Sequence, residues 1–182
     1  LAQIVPEYPD AHLTLGTRLA ARGDRGPAVK AFQRSIDLSP TQNPRAYYNL
    51  GYILATHGTA PTEIDEAIGH YRTAIKHDPR YVEAHFALAA ALQKQKHFED
   101  SERHFKIVLR LNENFAAAWL GLGGLYRSTG QLDRARLHLL RSITLLEGSG
   151  EIGDATSPSH RHLQTARDEL KRVEQDLGTG VP

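Results

Sequence analysis

Three series of residues recur along the chain in one register. Ala28, Ala67, Ser101 and Ala135 form the first. Phe32, Tyr71, Phe105 and Leu139 follow four residues later, and Ser35, Ala74, Val108 and Ser142 three residues after those. Each series steps by 39, 34 and 34 residues. Leu15-Gly16, Leu50-Gly51, Leu88-Ala89 and Leu122-Gly123 align upstream of them. Agreement at several positions makes chance a poor explanation. It commits the chain to a stack of similar units, each burying its apolar face against its neighbours.

Each unit reads as two helices. Leu15/Leu19, Leu50/Leu54, Leu88/Leu92 and Leu122/Tyr126 are i, i+4 pairs that give the first helix an apolar face. Breaks follow at Gly23-Asp24, Gly58-Thr59, Lys96-His97 and Gly130-Gln131. The second helix mostly presents small, bulky and small residues at i, i+4 and i+7, which lets two helices pack closely. Pro40 and Pro79 end the second helices of the first two units, because proline cannot continue a helix. Asn112-Glu113-Asn114 takes that place in the third.

The units therefore span 9–42, 44–81, 82–115 and 116–149, with Asn43 as one extra residue. The second unit carries four added residues, placed within 59–64, between its helices, where insertions are best tolerated. Thr62-Glu63-Ile64-Asp65 reads there as a capping box with Asp in the acidic slot. Residues 1–8 read as the end of a preceding partial unit, since Pro6 lies 34 residues before Pro40. Residues 150–158 have a linker composition. In 159–177 the stripe Leu163, Ala166, Leu170, Val173 and Leu177 predicts an amphipathic helix that closes the array, ahead of a tail at 178–182.

Charge narrows the functional classes. The net charge is +1, from 22 basic and 21 acidic side chains, which argues against nucleic acid as the main partner. With no cysteine, thiolate metal sites, disulfides and cysteine nucleophiles are excluded. No apolar run is long enough to span a bilayer and no signal peptide is visible, as would also hold for a trimmed fragment; the compartment stays open, with the cytoplasm only a default.

The fourth unit carries Trp119, Leu122-Gly123, Tyr126 and Ala135; the first carries Leu15-Gly16, Ala28, Phe32 and Pro40. The second has Tyr47, Leu50-Gly51, Ala67, Tyr71 and Pro79, and the third Leu88-Ala89, Ser101 and Phe105 without a closing proline. This pattern resembles the tetratricopeptide repeat family over roughly residues 9 to 149. The resemblance implies an all-α, right-handed superhelical solenoid of helix pairs with a C-terminal capping helix. It also implies a concave groove lined by first helices, which binds a partner peptide or protein. Carried over, the groove positions are Asp10, Leu13 and Thr17, then Arg45, Tyr48, Asn49 and Tyr52. Glu83, Phe86, Ala90 and Gln93 follow, and then Ala117, Leu120, Gly124 and Arg127.

Tyr48, Tyr52 and Phe86 read either as apolar anchors for a peptide or as filling between adjacent first helices. The slots that clamp acidic chaperone tails in one subfamily lack their cations here, and the asparagine ladder of another is reduced to Asn49. Other constellations are weaker. The ten histidines lack metal-ligand spacing and read as surface residues. Gly121-Leu122-Gly123-Gly124 lacks the Lys-Ser/Thr of a phosphate loop and reads as close helix packing. Glu99, Asp100 and Glu102 read as a negative first turn. No constellation reads as catalytic, and neither metal nor cofactor is expected. The leading reading is a protein-interaction scaffold. The alternatives are an accessory domain of a larger enzyme and a structural protein that self-associates through its solenoid ends.

Overall fold

The computed structural model describes residues 7–41, 43–57, 61–148 and 157–178. Among them the chain forms only helices: α1 (Pro9–Ala21), α2 (Arg25–Leu38), α3 (Pro44–His57), α4 (Pro61–His77), α5 (Val82–Lys94), α6 (Phe98–Leu111), α7 (Ala116–Ser128), α8 (Leu132–Gly148) and α9 (Pro158–Gly178). They fall into two bodies, Leu1–Ala91 and Leu92–Pro182, with the boundary inside α5.

In the first body α1 packs on α2, α3 on α4, and α2 on α3. Its core is Ala28, Phe32, Ala46, Leu50, Ala67, Tyr71 and Ala74. Gly16 and Gly51 explain the recurring Leu-Gly. A Cβ on Gly16 would come within 2.6 Å of the Phe32 ring, and one on Gly51 within 2.9 Å of the Tyr71 ring. Large residues of the second helices thus sit directly on first-helix backbone. In the second body α6 packs on α7, α7 on α8, and α9 on both α7 and α8. The same close approach recurs: a Cβ on Gly123 would come within 2.6 Å of the Leu139 side chain, and one on Gly121 within 2.5 Å of the Phe105 ring. Helix packing therefore accounts for that glycine cluster. Leu163, Ala166 and Val173 bury one stripe of α9, and Leu177 at its end stays exposed.

The breaks between paired helices are the same turn three times. Gly23 N–H donates to Ala20 O (3.0 Å) and Asp24 N–H to Leu19 O (2.9 Å). Lys96 and His97 repeat this with Gln93 and Leu92 (3.0 and 2.9 Å), and Gly130 and Gln131 with Arg127 and Tyr126 (3.0 and 2.8 Å). This paired closure of a helix end needs a left-handed residue. Gly23 and Gly130 have φ of 84° and 74°; Lys96 takes 62° with a side chain attached.

Helix starts are tied to the neighbouring helix. Ser35 Oγ donates to Pro9 O (2.7 Å), and Ser142 Oγ, in the matching position, donates to Ala116 O (2.9 Å). Asn43, read from sequence only as an extra residue, caps α3. Its Oδ1 accepts from Ala46 N–H (3.1 Å), and its Nδ2 donates to Ser35 Oγ (2.6 Å). One expectation is corrected. α4 starts at Pro61, so Thr62 lies inside the first turn rather than capping it. Proline suits the first helical position because its missing N–H has no helical partner there. The insertion expected within 59–64 falls partly on 59–60, outside the described residues, and so does most of the linker at 150–158.

Gly16→Ala should destabilise the fold by about 1–2 kcal/mol, overpacking against Phe32 outweighing the gain in helix propensity. Gly69→Ala, where a Cβ meets nothing within 4 Å, should instead stabilise by about 0.5–1 kcal/mol. Lys96→Gly should stabilise by about 1 kcal/mol through relief of the left-handed backbone. Thermal melting followed by circular dichroism orders the three variants.

Candidate peptide-binding surfaces

In the first body α1 and α3 are neighbours and carry the first-helix face. Leu13 is half-buried and accepts through its carbonyl from Thr17 Oγ1 (3.0 Å), which is exposed. Arg45 and Glu83 are exposed; Phe86 and Ala90 are half-buried. Asn49 is half-buried, and its amide has no hydrogen-bond partner among the described residues. Tyr48 and Tyr52 lie one turn apart with ring centroids 6.2 Å from each other. Tyr52 is 51% exposed.

Tyr48 sits deeper, on two rings that sequence reasoning did not assign to this surface. Its centroid lies 6.0 Å from Tyr71 and 5.2 Å from Tyr81. Tyr71 was read as a core residue and Tyr81 as a unit boundary. The usable signal was that Tyr81 immediately precedes α5, where its carbonyl accepts from His85 N–H (3.1 Å). Burial raises the pKa of the Tyr48 phenol, with Tyr52 and Glu83 adding to it. Burial, with Tyr48 and Glu83, pushes Tyr81 up to about 12. Tyr71 is raised chiefly by burial as well. The result is a neutral aromatic platform with one exposed ring at its edge.

In the second body the first-helix positions are more occupied. A Cβ on Gly124 would meet Gln93 Nε2 at 3.6 Å, Ala117 and Leu120 are half-buried, and Arg127 reaches α9. Arg127 Nη1 lies 3.5 Å from Glu169 Oε2, and its Nε lies 3.3 Å from Asp176 Oδ2. On the other side of α7, Tyr126 is buried and donates through Oη to Glu102 Oε1 (2.7 Å). The Lys106 ammonium, 2.6 Å from Glu102, holds that carboxylate below its ordinary range, and Tyr126 helps. Burial and Glu102 push Tyr126 up to about 12. Arg134 lies over the Tyr126 ring, 4.7 Å from its centroid.

The reading of the histidines as surface residues needs one correction. His85 is 4% exposed, and its Nε2 lies 3.1 Å from Pro79 O. A hydrogen bond to a carbonyl satisfies the ring and lets it be buried. His70 and Tyr47 are ring neighbours at 6.2 Å, and His138 lies 5.3 Å from Trp119. Among the described residues, no group of three His, Asp or Glu side chains could hold a metal ion, and no helix is long and apolar enough to cross a membrane.

A family model described as "Tetratricopeptide repeat" matches residues 13–65 and 89–149, and another described as "TPR repeat" matches 63–96. The chain belongs to the tetratricopeptide repeat family. The repeat array is 28% identical over 109 residues to protein bimA of Emericella nidulans, covering 59% of this chain and 13% of that protein. It is 30% identical over 139 residues to human protein O-mannosyl-transferase TMTC2, covering 76% of this chain and 16% of that one. The array thus spans under a fifth of these relatives' length. Among solved structures, MamA matches with TM-score 0.67 at 18% identity, over 96% of both chains. The APC/C hetero-tetramer Cut9-Hcn1 matches with TM-score 0.74 at 19% identity, over 92% of this chain and 30% of that one. The all-α helix-pair fold expected from the sequence is therefore shown.

Because Tyr48, Tyr71, Tyr81 and Tyr126 favour the neutral phenol in the fold, they support stability fully below the ordinary tyrosine value of 10.0. That support should drain away as the pH rises from there through about 12. Urea midpoints at about pH 9 and about pH 11 should show the loss. Absorbance of phenolate should rise in step with unfolding.

Proposed function

We propose that the array is a protein-interaction module whose first body seats a partner peptide on the α1–α3 first-helix face, with Phe86 and Glu83 of α5 contributing. The observation that carries this is Tyr52: a large ring 51% exposed, braced by the Tyr48–Tyr71–Tyr81 platform and one turn from the Asn49 amide, which has no hydrogen-bond partner among the described residues. A rigid, half-desolvated aromatic offers a large contact area at small entropy cost, which is why such residues dominate binding hot spots. Asn49 can bond a peptide backbone, and the exposed Arg45 and Glu83 supply charges of both signs. Leu13, Thr17 and Ala90 extend the face, and Gln93, Leu120 and Arg127 supply first-helix positions in the second body. Family membership supports a binding role in general, and one structure of like fold is itself a hetero-tetramer.

A second reading concerns context. Both curated relatives are several times longer than this chain, and one is named as a transferase. On this reading the array is the recruiting part of a longer protein.

The test compares capture of partners by the chain and by Tyr52→Ala/Asn49→Ala. These positions stand at the edge of the platform, so the melting temperature should hold. Recovery of a partner should fall at least tenfold, equivalent to about 1.4 kcal/mol. Undiminished capture by a folded variant moves binding off this face.

A further inference from the structure

We infer that the slot bordered by α6, α7 and α8 is a second docking site, for an acidic peptide segment whose carboxylates straddle one large apolar side chain. It uses other residues in the other body and does not rest on the Tyr52 face.

The slot is a cavity of about 610 Å³, within the range of sites that hold a ligand side chain or small molecule. Leu109, Leu122 and the Trp119 ring give it apolar walls, with His138 at its side. Arg103, Lys106 and Arg110 rise along one edge. Their spacing of three and four residues places them on a single ridge of α6. Glu113 is the one carboxylate among the lining residues.

Two of the cations, Arg103 and Arg110, are free to change partners. Arg103 pairs with Asp100 (3.0 Å), both largely exposed, and Lys106 with Glu102. The Arg103 pair is exposed and worth about 0–1 kcal/mol, so a ligand carboxylate can displace it. Lys106 is held more firmly, because its partner Glu102 is half-buried, and it adds positive charge to the same ridge. Arg110 is exposed and has no ion-pair partner among the described residues. The apolar wall is already fixed. Trp119 Nε1 donates to Glu113 O (2.8 Å), and the ring rests 5.3 Å from His138. A preset Trp beside arginines lowers the ordering cost that a ligand must overcome.

An acidic peptide fits better than nucleic acid. Duplex binding typically draws on 6–10 phosphate contacts. Here three cations stand on one ridge of a chain whose net charge is +1.

Trp119 is the chain's sole tryptophan, so its emission reports the slot directly. Random dodecapeptides displayed on phage would be selected against the whole chain, with Arg103→Glu/Arg110→Glu as the counter-target. A synthetic copy of each enriched peptide would then be titrated while Trp119 fluorescence is followed. The expected sequences carry at least two Asp or Glu around a large apolar residue and shift Trp119 emission. Their affinity should drop at least tenfold in the charge-reversed variant, by a smaller factor in Arg103→Gln/Arg110→Gln, and not at all in Tyr52→Ala. If charge reversal lowers the melting temperature, the glutamine pair carries the comparison. No enrichment, peptides that leave Trp119 unchanged, or equal binding to the arginine variants would each overturn the assignment. So would a short DNA duplex that shifts Trp119 and displaces the peptide.

Discussion

The structure depends on side chains that rest on backbone. Phe32 on Gly16, Tyr71 on Gly51 and Leu139 on Gly123 bring paired helices so close that the first helix has no room for a Cβ at the contact. Packing at this density tolerates little change in volume, so these positions are repeated almost unaltered while much else drifts. In the third unit Ala89 takes the place of the glycine. With pairing settled on one side of each first helix, the opposite side is released from structural duty. Tyr52 and Arg45 can be exposed there without weakening the core.

Positions that repeat were legible in the sequence; departures from repetition were harder. Spacing alone placed the helices and assigned Phe32, Tyr71, Phe105 and Leu139 to the core, because a period of 34 residues and an i, i+4 stripe are statements about burial. Asn43 looked like a misfit since it broke the count. Its value is a cap plus a link to Ser35, which depends on two chains of atoms eight residues apart meeting in space. Lys96 was read as part of a break, but nothing in its identity announced a left-handed backbone. His85 looked like any other polar residue until Pro79 O was found beside it.

The candidate surface was legible in the same uneven way. Tyr48 and Tyr52 could be placed on one face from helical periodicity. Tyr81 could not, because it reaches Tyr48 from the turn before α5, and a turn carries no period. The second body shows how far one template can diverge. Where the first body carries Tyr52 it has Gly124, its Tyr126 is buried on Glu102, and the half-buried Trp119 stands beside the cations of α6. Two bodies with the same backbone plan thus offer different chemistries, one neutral and aromatic, the other cationic with an apolar wall.

The embrace of Arg127 by Glu169 and Asp176 has a consequence for where a ligand can be held. Helix α9 is part of the same chain, so its carboxylates stand near Arg127 at a local concentration in the millimolar range that dilution never lowers. Any free molecule seeking that guanidinium competes against a tethered rival. The Arg127 end of α7 is therefore screened by the chain's own sequence, while Trp119, two turns earlier on the same helix, is left beside the cations of α6.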